Sequence, residues 1–149
     1  MKIFVVLLPA LLLAAPALAA GASEILVSAD QVREAIHNLP KTPPTNRELI
    51  VEEHYVVKVA RVENRNGPFE LHRDQDRVFY VLEGKATMRT GGKLIDPKQL
   101  SISEWRADSA DGYRELPLKA GSVLSVPRGV AYQIVAAGTD VKFLVVAIR

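Results

Sequence analysis

The stretch Val78-Phe-Tyr-Val-Leu-Glu83-Gly84-Lys85-Ala-Thr-Met-Arg-Thr90 holds two short runs typical of β-strands, separated by a Glu-Gly turn signal. β-Branched and aromatic residues favour a pleated strand, and a glycine between two such runs is typical of an antiparallel turn. The same pattern continues on both sides of this stretch. Further strands are predicted around Tyr55, Val57 and Val59 and at Phe69–His72, Tyr113–Leu118, Val123–Val126, Ala131–Ala136 and Val141–Ile148. Many short strands joined by glycine-bearing turns predict an all-β fold, a sandwich or a barrel.

A short helix precedes the predicted strands. Ser28 and Gln31 have the spacing of a capping box, and apolar residues follow at helical spacing. The helix is predicted from Asp30 to Asn38, because Pro40 cannot continue it. Lys41–Asn46 is predicted to be an extended connector, since its prolines cannot pair inside a sheet. From Glu48 onward the hydrophobic pattern has the period of two that indicates strands.

The first residues have the pattern of a secretory signal peptide. Lys2 is followed by the apolar run Ile3–Leu13 and then by Ala17-Leu18-Ala19. A basic residue, a short apolar run and small residues at the cleavage site are what signal peptidase recognises. We therefore expect cleavage after Ala19, no membrane anchor in the mature chain, and export to the periplasm or out of the cell. The predicted division is a signal peptide (1–19), a helix with its connector (20–47) and a β-domain (48–149).

Composition excludes several classes of function. The chain of 149 residues has 19 Lys and Arg against 17 Asp and Glu, and it has no cysteine. Without cysteine there can be no disulfide, thiolate metal site or cysteine nucleophile. The nearly balanced charge predicts no nucleic-acid partner. Sequence motifs of the α/β-hydrolases, the P-loop proteins and the Rossmann dinucleotide-binding proteins are also missing.

Two segments resemble the paired motifs of the cupin superfamily, in particular its type-2 domain. They are Gly67-Pro-Phe-Glu70-Leu-His72-Arg-Asp74-Gln-Asp76-Arg77-Val-Phe-Tyr-Val-Leu-Glu83-Gly84 and Gly121-Ser-Val-Leu-Ser-Val-Pro127-Arg-Gly129-Val-Ala-Tyr132. The resemblance implies a small double-sheet β-barrel of the jelly-roll type, in agreement with the strand prediction. It also implies that a homodimer can form. Members of the superfamily often hold a divalent metal with three histidines and one glutamate.

This sequence departs from that ligand set at most of its positions. Counting from Gly84 and Gly129 places Glu70 and His72 at the first two histidines, Arg77 at the glutamate and Tyr132 at the last histidine. Only His72 keeps its metal-binding type, and a guanidinium cannot ligate a metal. We therefore expect a metal-free interior in which Arg77 pairs bidentately with Glu70. His72 and Tyr132 would complete the ligand-binding set of a small-molecule pocket.

A divalent transition metal is the alternative, although it is not favoured, and the identity of any cofactor stays open. Glu70, His72 and Asp76 would form the ligand set, with Asp76 reaching the position of Arg77 through a one-residue bulge. Asp74 and Tyr132 are further possible ligands. Oxygen and imidazole ligands together suit several divalent metals.

Three classes of function remain open from the sequence. The first is a small-molecule-binding protein. The second is an enzyme that resembles cupin isomerases, lyases or dioxygenases, with His72 as general base or metal ligand and Tyr132 as general acid. The third is an interaction protein that dimerises through its sheet and the arm Ala20–Pro44. His72 could also be a hydrogen-bonded core histidine without a function in the pocket.

Overall fold

The computed structural model describes residues 24–43, 45–63, 67–136 and 138–149. The predicted signal peptide lies outside these ranges. Within them, no helix is both long enough and apolar enough to span a bilayer. One helix, α1 (Ala29–His37), precedes the strands β1 (Asn46–Val51), β2 (Tyr55–Val62), β3 (Phe69–His72), β4 (Asp76–Glu83), β5 (Lys85–Thr90), β6 (Lys93–Ile95), β7 (Lys98–Gln99), β8 (Glu104–Ala107), β9 (Ser109–Asp111), β10 (Arg114–Lys119), β11 (Val123–Val126), β12 (Tyr132–Ala136) and β13 (Val141–Ile148).

The strands form two large antiparallel sheets. Their orders are β1-β2-β13-β4-β11 and β10-β5-β12-β3-β8-β7, and β6 pairs with β9 in a separate ribbon. Among the described residues no strand pair joins the two large sheets. The all-β, jelly-roll prediction is therefore confirmed, but as a sandwich rather than as a closed barrel.

The core lies between the sheets because alternate residues of each strand point to the same side. Phe79 and Phe143 from the first sheet pack edge to face, with ring centroids 5.9 Å apart. Met88 from the second sheet is fully buried in the same cluster. Strand β13 is central, and its buried side chains alternate along its whole length.

Helix α1 covers part of the outer face of the first sheet. Its capping box is formed as predicted, with Ser28 accepting from the Gln31 backbone and Gln31 accepting from the Ser28 backbone. Ala35 packs with Val59 of β2 and Leu144 of β13. The helix does not cover all of this face, since Tyr80 of β4 lies opposite Leu144 and is 40% exposed.

The chain between Gly91 and Gly112 contains more strand than its sequence indicates. The segment from Asp108 to Asp111 contains β9, which pairs with β6. Strand β8 pairs with β3 over its whole length. These strands are short and polar, so pairing with a neighbour stabilises them more than their own β-propensity.

The turn between β4 and β5 requires its glycine. Gly84 has φ +86°, and a Cβ added there would lie 2.7 Å from the backbone oxygen of Asp140. The turn thus packs against the backbone at the start of β13, where a side chain at position 84 has no room.

Candidate functional site

Strand alternation brings four of the predicted residues to one place between the sheets. Glu70 and His72 are two residues apart on β3, so both side chains point inward. Tyr132 begins β12 and lies directly opposite Glu70 in the strand register. Arg77 reaches them from β4 of the other sheet, and the Tyr132 ring packs against Phe79, with centroids 5.3 Å apart. We call Glu70, His72, Arg77 and Tyr132 the Glu70 cluster.

Hydrogen bonds connect the whole Glu70 cluster. Arg77 Nη1 donates to the Tyr132 hydroxyl at 2.6 Å, and that hydroxyl donates to Glu70 Oε2 at 2.8 Å. His72 Nε2 lies 3.4 Å from the same Glu70 oxygen, and Arg77 Nη2 lies 3.4 Å from His72 Nδ1. Since a guanidinium can only donate, His72 Nδ1 must accept and Nε2 must carry the proton in the neutral ring. Every member of the cluster thus has a defined donor or acceptor role.

The contact between Arg77 and Glu70 differs from the predicted bidentate pair. Arg77 Nη1 is 3.6 Å from Glu70 Oε2, and the Tyr132 hydroxyl bonds to both groups. The two guanidinium Nη atoms are directed to tyrosine and histidine instead of to two carboxylate oxygens. Arg77 Nε is buried and has no hydrogen-bond partner among the described residues.

These contacts hold Glu70 as an anion and Tyr132 as a neutral phenol. Burial alone would raise the pKa of Glu70, but the hydrogen bonds from His72 and Tyr132 and the charges of Arg77 and Arg106 lower it to about 2. Burial and the adjacent Glu70 carboxylate raise the pKa of Tyr132 well above its usual range. Near neutral pH the Tyr132 hydroxyl therefore keeps its proton and donates it in a hydrogen bond to the Glu70 carboxylate.

Three further charged residues, which the sequence analysis missed as site residues, complete the surroundings of the cluster. Arg106 Nη2 lies 3.5 Å from Glu70 Oε1 and 3.0 Å from Glu104 Oε1. Glu104 and Arg106 are two residues apart on β8, and this spacing was the signal available in the sequence. Lys58 lines the same space from β2, where it alternates with Val57 and Val59.

The Glu70 cluster borders a partly open cavity of about 290 Å³. Its volume is near the lower end of the range for ligand pockets. Apolar side chains form a large part of the wall beside the charged groups; they include Ala60, Val62, Phe79, Ile134, Phe143 and Val145. Side chains therefore do not fill the interior between the sheets, and the remaining volume suits only a small ligand.

Asp76 lies outside this arrangement, which corrects the alternative metal set. Its carboxylate accepts from the Arg128 backbone N at 2.8 Å and pairs with Arg128 Nη2 at 2.9 Å. Hydrogen bonds from Arg128 lower the pKa of Asp76 at the exposed start of β4. No bulge turns Asp76 inward, because β4 stays in register with β13 from Val81 to Asp76. Asp74 is exposed as well.

A different trio offers possible metal-ligand atoms. One atom each from Glu70, His72 and Glu104 lies within 4.8 Å of the others. These atoms already receive protein donors, because Arg106 lies against both carboxylates and both ring nitrogens of His72 have partners. A divalent cation would also meet the guanidinium charges of Arg77 and Arg106 at close range. The residues in this arrangement do not fit a resident metal.

The structural comparisons identify the fold. No protein-family model matches the chain, and no curated protein matches it by sequence. A solved cupin-2 domain containing protein from Shewanella frigidimarina is 20% identical, with 83% of this chain and 95% of that chain covered and a TM-score of 0.54. A Bacillus halodurans protein is 16% identical, with 87% and 83% covered and a TM-score of 0.61.

A third solved structure is an enzyme, the DMSP lyase DddQ from Ruegeria pomeroyi. It is 15% identical, with 70% of this chain and 46% of that chain covered and a TM-score of 0.51. At these identities the similarity concerns the path of the chain and not the chemistry of the site. The chain thus has the cupin fold.

Proposed function

We propose that this protein is an exported single-domain cupin that binds a small molecule between its two sheets without a resident metal. The signal-peptide pattern of residues 1–19 supports export. In the proposed site, the guanidinium of Arg77 provides the positive charge that a metal would bring to such an interior. This permanent charge cannot be removed by chelation, and it holds the side chains around it in fixed orientations.

The observation that carries this proposal is the position of Arg77. Its two Nη atoms bond to Tyr132 and His72, and the guanidinium lies 3.6 Å from the Glu70 carboxylate. The functional groups are thereby oriented at the wall of the cavity while the cavity itself stays free for a ligand. A site in which the orienting side chains are already hydrogen-bonded to one another is preorganised for binding.

An enzymatic function is the second candidate, and one observation favours it. His72 and Tyr132 both lie within hydrogen-bonding distance of Glu70 Oε2 beside the cavity, which is the convergence that acid–base chemistry requires. The raised pKa of Tyr132 makes its phenol a poor general acid, and the low pKa of Glu70 makes it a weak base. Binding without chemical turnover is therefore the leading proposal.

Elemental analysis tests the proposal when it is combined with a ligand screen. We expect purified mature protein to contain no transition metal near one atom per chain. We also expect fragments in an NMR screen to shift the resonances of cavity residues such as Phe79 and Ile134. A near-stoichiometric metal that is lost in His72→Ala would refute the metal-free site. Fragments that bind only outside the cavity would refute the binding function.

A further inference from the structure

The cations in the cavity wall differ in how they are paired. Glu70 faces Arg77 and Arg106, and Glu104 also pairs with Arg106. The lining includes four cationic side chains and two carboxylates: Lys58, Arg61, Arg77 and Arg106, and Glu70 and Glu104. Arg61 has acidic partners outside this set, since Glu63 lies 3.6 Å from Nη2 and Asp140 lies 3.8 Å from Nε. Among the described residues, Lys58 is therefore the one cation of this lining without an ion pair.

Lys58 has carboxylates in its surroundings, including Glu48 opposite it in the strand register, but none of them is bonded to it. Within the part of the chain that the structure describes, no side-chain hydrogen bond or ion pair engages its ammonium group, although the group lines the cavity. Burial and then the charge of Arg77 lower the pKa of Lys58, and the carboxylates of Glu70, Glu48 and Glu104 offset only part of this effect. A partly buried ammonium group without a direct hydrogen-bond partner is unfavourable, and a ligand carboxylate bonded to it would relieve that cost.

The inner face next to Lys58 is apolar. In the strand register, Lys58 lies opposite Val145, and Val145 in turn lies opposite Phe79. Side chains at directly opposite positions of an antiparallel pair are about 5 Å apart, so these three form one row across the sheet. A molecule whose charged end reaches Lys58 would therefore place its other end on Phe79 and its apolar neighbours.

We propose that the ligand class of this cavity is a small organic monocarboxylate, with its carboxylate paired to Lys58 Nζ and its apolar part on Val145 and Phe79. The inference rests on the proposed binding function and adds the chemistry of the ligand. Lys58 offers one unbonded ammonium group to one carboxylate, whereas a phosphate dianion would bring a second negative charge close to Glu70 and Glu104. The apolar row has nothing to offer an ion such as inorganic phosphate, which is polar on all sides.

Three compounds of nearly the same shape and different charge test this assignment. Benzoate, benzamide and benzamidine are titrated by NMR and calorimetry into the folded mature protein, with inorganic phosphate as a fourth probe. The protein variants are Lys58→Met, which removes the charge but keeps the length of the side chain, and Lys58→Arg, which retains the charge. Lys85→Met is the matched control, because Lys85 is an exposed lysine on β5 and lies outside the cavity lining.

We expect benzoate to bind with a Kd of about 1 mM or below, and benzamide, benzamidine and phosphate to bind more weakly. Lys58→Met should weaken benzoate binding by about 10- to 100-fold, as for the loss of a charge-assisted hydrogen bond. Lys58→Arg should retain binding, and Lys85→Met should match the wild type. Lys58→Met should change the melting temperature little, since it breaks no direct hydrogen bond or ion pair among the described residues, so lost binding would not reflect unfolding.

Two results would overturn the assignment. If benzamide or benzamidine binds in the cavity as well as benzoate does, and Lys58→Met changes nothing, the carboxylate class is wrong while the binding function stands. If none of the probes shifts the cavity resonances at about 10 mM, benzoate affinity is too weak for the proposed pair and the assignment fails. The binding function itself is decided separately by the broader fragment screen and the metal analysis.

Discussion

Acidification should weaken the fold through Glu70 in a measurable way. The contacts around this carboxylate lower its pKa from 4.5 to about 2 in the folded protein. At about 1.4 kcal/mol per pKa unit, the ionised form contributes on the order of 3 kcal/mol to stability. Because the folded pKa is lower than the unfolded one, this contribution is present above about pH 4.5 and is lost as the pH falls through about 2.

Urea unfolding of the wild type and of Glu70→Gln, at intervals between about pH 6 and pH 2.5, measures this contribution. Near pH 6 we expect Glu70→Gln to be less stable by about 3 kcal/mol, since Arg77 and Arg106 lose their shared carboxylate. The difference should shrink toward low pH as the wild-type carboxyl becomes protonated. Asp76→Asn is the control, because the pKa of Asp76 is lowered by Arg128 at the exposed start of β4, outside the cavity.

The pH dependence of this stability difference shows whether the pKa of Glu70 differs between the folded and unfolded states. A stability difference between wild type and Glu70→Gln that stays constant from about pH 6 to pH 2.5 would refute it, because Glu70 would then have the same pKa in both states. A loss of the same size in Asp76→Asn would show that the acid sensitivity belongs to surface carboxylates in general.

Three other predictions follow from the fold and the site. Gly84→Ala should lower stability by about 1–3 kcal/mol in thermal melts, because Gly84 has a φ of +86° and lies against Asp140. Gly91→Ala should cost less, because Gly91 has a similar φ of +82° but no close neighbour. Equal losses in the two variants would contradict a role for the close contact with Asp140. Arg77→Glu should create a carboxylate-rich site whose melting temperature rises with added Ni²⁺ or Zn²⁺, and an unchanged melting temperature would contradict the assigned position of residue 77. The homodimer expected from the cupin resemblance should appear in light scattering after size exclusion, and a monomer at high micromolar concentration would contradict it.

The strand pattern and the two motifs predicted most of what positions the site. Gly84 and Gly129 fixed the counting that placed Arg77 and Tyr132 in the interior, and period-two alternation placed Glu70 and His72 on one face of β3. The same reasoning failed for Asp76 because its partner, Arg128, lies far away in the chain. A long-range ion pair has no signature in local periodicity.

Other features could not be predicted because they depend on pairing between distant strands. Strand β8 has weak strand character of its own, and it becomes part of the site only by pairing with β3, which brings Arg106 next to Glu70. The Tyr132 hydroxyl accepts from Arg77 at 2.6 Å and donates to Glu70 at 2.8 Å, while Arg77 and Glu70 stay 3.6 Å apart. Sequence patterns do not resolve distances at this scale. Charge complementarity predicted that Arg77 and Glu70 would be neighbours, but not which atoms would bond.

In the proposed site, the guanidinium of Arg77 takes the role of a cation inside the sandwich. Anomalous diffraction from crystals soaked in Ni²⁺ or Zn²⁺ tests it most directly, because that measurement locates both the metal and the side chain. We predict no anomalous peak among Glu70, His72 and Glu104, and Arg77 Nη1 within hydrogen-bonding distance of the Tyr132 hydroxyl. A well-occupied peak bonded to those three residues, with the guanidinium of Arg77 turned away from them, would contradict the account.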